Sequence, residues 1–165
     1  MQTLSYLCAL VFLALSGQVS AQLDSPVHWT YQAQTKGKQT AAITMTAHLQ
    51  PGWHIFSQKL KAGGPSPTSI QIAPSSGVEL LGTPTEPVSI VVYEKLFKMD
   101  IAYFENQVNF QQEVRFKKLP FVLKGKIEFM ACNKKECLPP DEVEFAIPVN
   151  SAQSKVTRTK TRSAS

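Results

Sequence analysis

The sequence predicts an all-β protein, an immunoglobulin-like β-sandwich, on three observations. Between residues 27 and 149, apolar and polar side chains alternate in seven or more short runs, the period of half-buried strands. Gly, Pro, Ser and Asn punctuate these runs, and no apolar stripe at helical spacing exceeds two turns. Many short strands with frequent turn signals define a two-layer sandwich.

In chain order, residues 1–21 carry an apolar run, Leu7 to Leu15, too short to span a bilayer and ending in Val19-Ser20-Ala21, small residues at the spacing a signal peptidase needs. Residues 1–21 are therefore expected to be a secretory signal peptide, which takes Cys8 with it. Val27, Trp29, Tyr31 and Ala33 alternate, Lys36-Gly37-Lys38 turns, and Ile43, Met45, Ala47 and Leu49 alternate again. After Gln50-Pro51-Gly52, the short apolar segment Trp53 to Phe56 leads into a loop with Gly63, Gly64, Pro65 and Pro67. Ile70 and Ile72 begin another strand. Ser75-Ser76-Gly77 turns into Val78 to Leu81, and Ser89 to Val92 makes a further short strand after the Pro84 to Pro87 loop. Tyr93 to Met99 has no clean period and reads as either strand or ordered loop. Ile101 to Phe104 and Val108 to Phe116 follow.

The last pair of runs frames the chemistry. Leu123, Ile127, Phe129 and Ala131 form one apolar face, and Val143, Phe145, Ile147 and Val149 form another. Between them stands Cys132-Asn133-Lys134-Lys135-Glu136-Cys137-Leu138-Pro139-Pro140. The two cysteines bracket a hairpin turn, where opposed residues come close enough for a disulfide. Parity puts Cys132 on the polar face, its thiol directed away from the core, and Cys137 with the core-facing residues. Opposed partners must share a face, so a register break is expected between Leu138 and Glu142, where prolines cannot donate ladder hydrogen bonds.

Residues 22–150 form one domain by length, followed by a tail, 151–165, expected to be disordered. The net charge of +5 comes from seventeen basic and twelve acidic residues. Four of the basic ones, Lys155, Arg158, Lys160 and Arg162, lie in that tail with no acid among them. The folded part is nearly neutral, which argues against a nucleic-acid partner, while the tail could contact anionic lipid. The antibody-type pair of distant cysteines is absent. A short-loop disulfide contributes only about 2 kcal/mol by chain entropy, so stability alone is a weak reason for its position. Two readings stand: a dithiol that cycles, with Lys134 and Lys135 favouring a thiolate and Glu136 opposing it, or a bridge that stiffens a binding hairpin in a non-catalytic envelope interaction module. Zinc fits poorly, since His28, His48 and His54 show no paired spacing, and no cofactor is implied.

Pro51-Gly52-Trp53-His54-Ile55-Phe56-Ser57, Gly64-Pro65-Ser66-Pro67-Thr68, Tyr103-Phe104-Glu105-Asn106 and Phe129-Met130-Ala131-Cys132 through Cys137-Leu138-Pro139-Pro140 occur in this order. Over roughly Ser25 to Val149, the chain resembles the amino-terminal periplasmic domain of the DsbD thiol:disulfide interchange protein. That resemblance implies an immunoglobulin-like sandwich whose Cys132 and Cys137 are the redox pair. It implies electrons arriving from a membrane-embedded DsbD-like reductase, exchange with thioredoxin-like domains, and delivery to oxidised periplasmic proteins. It also implies a cap over the pair, formed here by Tyr93, Leu96 and above all Phe97, with His54 and Phe56 as neighbours; His54 departs from the family's residue type. The transmembrane and carboxy-terminal thioredoxin-like domains of a full DsbD do not appear in the chain. Parity makes Cys132 the expected point of capture by partners.

Overall fold

A computed structural model describes residues 25–95, 97–151 and 154–157. The expected signal peptide, Leu96 and most of the basic tail lie outside them. The described residues form twelve strands and no helix: β1 (Val27–Lys36), β2 (Thr40–Leu49), β3 (His54–Phe56), β4 (Ser69–Ile72), β5 (Val78–Thr85), β6 (Ile90–Glu94), β7 (Met99–Glu105), β8 (Gln107–Phe116), β9 (Phe121–Phe129), β10 (Ala131–Cys132), β11 (Asp141–Val149) and β12 (Ser154–Thr157). All pairings between these strands are antiparallel.

Three sheets build two layers. One has the order β12-β1-β2-β8-β5; opposite it lie β10-β3-β7-β6 and β11-β9-β4. The inner faces are those the alternation marks: β2 buries Ala41, Ile43, Met45, Ala47 and Leu49, while β8 buries every second residue from Val108 to Phe116. Across the layers Trp29 meets Phe129 with ring centroids 5.6 Å apart, and Tyr31 meets Phe145 at 5.5 Å. Burial of these rings supplies much of the hydrophobic stabilisation. The all-β, immunoglobulin-like sandwich is thus the observed class.

Two elements differ from expectation. Tyr93 to Met99 divides between strand and turn, since Glu94 pairs with Met99 to close a β6–β7 hairpin. Four residues of the expected disordered tail, Ser154–Thr157, pair with β1 as its outer neighbour. Backbone ladder bonds suffice to dock that segment, so its polar composition gave no signal.

At the centre of the third sheet, β9 accepts Phe145 of β11 against Gly125. A Cβ at Gly125 would lie 2.3 Å from the Gln71 carbonyl oxygen and 2.4 Å from Phe145 Cζ. Only glycine allows this approach.

Candidate redox site

The chain leaves β9 at Phe129 and, after Met130, joins a different sheet. Ala131 pairs with Ile55 and Cys132 with His54, both on β3. The loop that follows is closed by Asn133, whose Oδ1 accepts hydrogen bonds from the backbone N–H groups of Lys135 (2.7 Å) and Glu136 (3.0 Å), and whose own N–H donates to the Glu136 carbonyl at 2.9 Å. An asparagine at the start of a turn does this because its side chain mimics a backbone acceptor. The loop brings Cys137 opposite Cys132, and the two form a disulfide with Cα atoms 4.0 Å apart. Leu138 then donates to the Ala131 carbonyl at 2.9 Å, and pairing resumes at Asp141 opposite Phe129. Three steps from Leu138 to Asp141 match two from Ala131 to Phe129. The expected register break is there, at Pro139-Pro140.

The two cysteines differ in exposure, and here the sequence reading needs correction. Cys132 is only 2% exposed, whereas Cys137 is exposed. Cys132 does face away from the main core, which takes Ala131 together with Ile55 and Phe104. Its face is nevertheless covered by a second apolar cluster of Phe56, Ile101 and Cys132, flanked by Leu60, Met99, Tyr103 and Met130. Strand parity reports which face a residue occupies; it does not report whether distant segments cover that face. Cys137, expected among core-facing residues, escapes because the proline break uncouples its parity from Val143 and Phe145.

Phe56 is buried beside Cys132. It is fixed from both sides: Thr68 Oγ1 donates to the Phe56 carbonyl at 2.6 Å, and the next residue, Ser57, donates its N–H to the Ala102 carbonyl at 2.9 Å. The Ser57 hydroxyl donates to Glu86 Oε1 at 2.5 Å, and the Gln58 N–H donates to Glu86 Oε2 at 2.9 Å. Glu86, its side chain 2% exposed, therefore anchors the segment directly after Phe56, the ring that packs against Cys132. Sequence gives little notice of such a carboxylate, since Pro84 to Pro87 reads only as loop.

His54 is half-buried, its ring 4.8 Å from that of Tyr103 and 5.3 Å from that of Phe56. Burial holds its pKa below the usual histidine value, and the Glu105 carboxylate acts in the opposite sense. Tyr93, next to last in β6, is exposed, and Phe97, in the β6–β7 turn, is 37% exposed. Met99 and Ile101, which follow Phe97 on β7, reach the Cys132 cluster. Lys134, Lys135 and Glu136 are exposed on the loop. Ile101, Tyr103 and Glu86 were missed as site residues. The alternation over Ile101 to Glu105 held the signal for the first two, once β7 is known to flank β3. Among the described residues, no group of three or more His, Cys, Asp or Glu could hold a metal ion.

A β-sandwich with a disulfide in a tight turn, one of its cysteines buried and the other exposed, has the form of a thiol–disulfide exchange module. The chain belongs to the family of the N-terminal domain of the thiol:disulfide interchange protein DsbD, whose model matches residues 21–149. Among solved structures, it is similar to the reduced DsbD N-terminal domain of Neisseria meningitidis, at 13% identity and a TM-score of 0.49, covering 78% of this chain and 90% of that one. It is also similar to a chain from the complex of the DsbD and PilB N-terminal domains of N. meningitidis, at 12% identity and a TM-score of 0.48, covering 72% and 80%. No curated protein matches the chain.

Proposed function

We propose that this protein is a periplasmic thiol:disulfide exchange module, one station in a relay that carries electrons from a membrane-embedded DsbD-like reductase to oxidised periplasmic proteins. The observation that supports it most is the exposed Cys137 bonded to the buried Cys132 within a family of interchange domains. A thiolate of the donor attacks Cys137; the donor–Cys137 bond forms, the Cys132–Cys137 bond breaks, and Cys132 leaves with the electron pair. The donor's second thiol then displaces Cys137, and the donor is left oxidised. Downstream, Cys137 attacks the acceptor disulfide and Cys132 resolves the mixed disulfide, so two electrons pass to the acceptor. Cys137, by its access, replaces Cys132 as the sulfur that partners capture.

Thioredoxin-like domains are the natural donors and acceptors for such a site. The signal peptide would deliver the protein to the periplasm, and the basic tail would add contact with anionic lipid. Tyr93, Leu96 and Phe97 act as a cap that limits access to Cys137 until a partner docks; the packing of Met99 and Ile101 into the Cys132 cluster supports this by anchoring the turn's base beside the site. A cap answers a chemical need, since exchange depends on access as well as thiolate fraction.

The test is trapping. Cys132→Ser should accumulate a mixed disulfide through Cys137 with a thioredoxin-like partner, and Cys137→Ser should accumulate far less. If neither variant forms a mixed disulfide, the bridge is a structural clamp on an interaction hairpin and the exchange function is wrong.

A further inference from the structure

Each exchange cycle places a negative charge on a sulfur that water barely reaches. Cys132 is 2% exposed and surrounded by Phe56, Ile101 and their neighbours. A thiolate there is disfavoured by desolvation, so both its departure and its later attack are slow without a local proton acceptor and donor. The strand register supplies one. His54 of β3 stands directly opposite Cys132 of β10, and Glu105 of β7 stands directly opposite His54. Directly opposed residues share a face, with Cβ atoms about 4.5–5.5 Å apart. Ring contacts confirm the face independently: His54 touches Phe56 and Tyr103, and both belong with Cys132 in the second cluster. Cys137, Cys132, His54 and Glu105 therefore form one row across the sheet, running from an exposed cysteine to an exposed glutamate.

We propose that His54 carries the proton to and from the Cys132 sulfur, with Glu105 setting its basicity; this deepens the exchange reading above and rests on it. When a donor thiolate opens the disulfide at Cys137, the electron pair arrives on Cys132, and the His54 imidazolium gives up its proton to leave a neutral thiol and neutral imidazole. In the resolving step, His54 takes the proton from the Cys132 thiol. Cys132 then bonds to Cys137, and the acceptor's sulfur departs as a thiolate. The titratable groups facing His54 are Cys132 from β10 and Tyr103 and Glu105 from β7; Phe56, on its own strand, carries no charge. A mere space-filling ring could equally be phenylalanine, which makes His54→Phe the informative change.

The experiment uses the reduced chain from residue 22 onward, whose cysteines are Cys132 and Cys137, and 5,5′-dithiobis(2-nitrobenzoate) in stopped flow. The first chromophore release reports attack by Cys137, and the second reports Cys132 closing the ring on that mixed disulfide. In His54→Phe the second phase should slow about a hundredfold at neutral pH, the low end for a positioned acid–base group, while the first changes less than about twofold. The gap should narrow as pH rises, because hydroxide increasingly ionises the buried thiol without help from His54. Glu105→Gln, which touches no sulfur, should move the inflection of the second phase to lower pH. Unchanged second-phase rates and pH profiles in both variants would overturn the role of His54. A wild-type protein with no first phase would instead overturn the exchange reading itself.

Discussion

Replacing Glu86 with alanine tests how the apolar cluster over Cys132 is held. The carboxylate accepts from the Ser57 hydroxyl at 2.5 Å and the Gln58 N–H at 2.9 Å, in a site where Ser57 is 1% exposed. A third donor, Gln58 Nε2 at 3.4 Å, belongs to a partly exposed side chain that can turn to water. The exposed Lys59 ammonium, 3.9 Å away, adds little. Two donors thus lose their partner, at about 1–3 kcal/mol each, giving roughly 2–6 kcal/mol before any water enters. For a domain of this size, a loss of that order lowers Tm by about 10 °C, and the fold survives if its total stability is the usual 5–15 kcal/mol or so. Because Ser57 follows Phe56, loosening it should also expose Cys132. Differential scanning calorimetry and alkylation of the reduced protein, resolved by cysteine with mass spectrometry, should show a lowered Tm and faster modification of Cys132. An unchanged Tm with unchanged Cys132 labelling would refute the anchoring role of Glu86.

Phe97→Ala should cost only about 1–2 kcal/mol, since the ring is 37% exposed and fully buried phenylalanines cost about 3–5, while labelling of reduced Cys137 speeds up several-fold. A large loss of stability with unaltered labelling would make Phe97 core and remove the cap. Gly125→Ala should cost more than about 3 kcal/mol, because the new Cβ meets a backbone carbonyl of β4 and the Phe145 ring, neither free to retreat; a wild-type melting curve would contradict this packing. His54 binds a proton less readily folded than unfolded, so its contribution is lost as pH falls below about 6.5, the ordinary histidine value. The difference in unfolding free energy between wild type and His54→Phe should therefore shrink on the acid side, and denaturant titrations over that range that run parallel would contradict it.

The layers were legible where a strand is long and wet on one side. In β2, β8 and β11 alternation in sequence and in burial coincide, because one face packs and the other meets water. The site was less legible because it is assembled from short pieces. β10 has two residues and β3 three, too few for a period, and β10 changes sheet between Phe129 and Ala131. The pairing of Cys132 with Cys137 followed from a hairpin spacing, and the proline break from proline's missing donor. The burial of Cys132 did not follow, because Phe56 and Ile101, which cover it, arrive from segments more than thirty residues away in sequence. Nor could the row through His54 and Glu105 be seen before the register of β10, β3 and β7 was known.

The measurement that bears most directly on the proposed function is the equilibrium reduction potential of the Cys132–Cys137 bridge, titrated against glutathione or dithiothreitol buffers and read by mass spectrometry of alkylated protein. A relay disulfide must be reduced by its donor and reoxidised by its acceptors, which requires a midpoint above about −300 mV, in the range of roughly −270 to −120 mV spanned by exchange proteins. A midpoint below about −300 mV, where structural disulfides resist reduction, would contradict the exchange function and leave the bridge as a clamp on the hairpin.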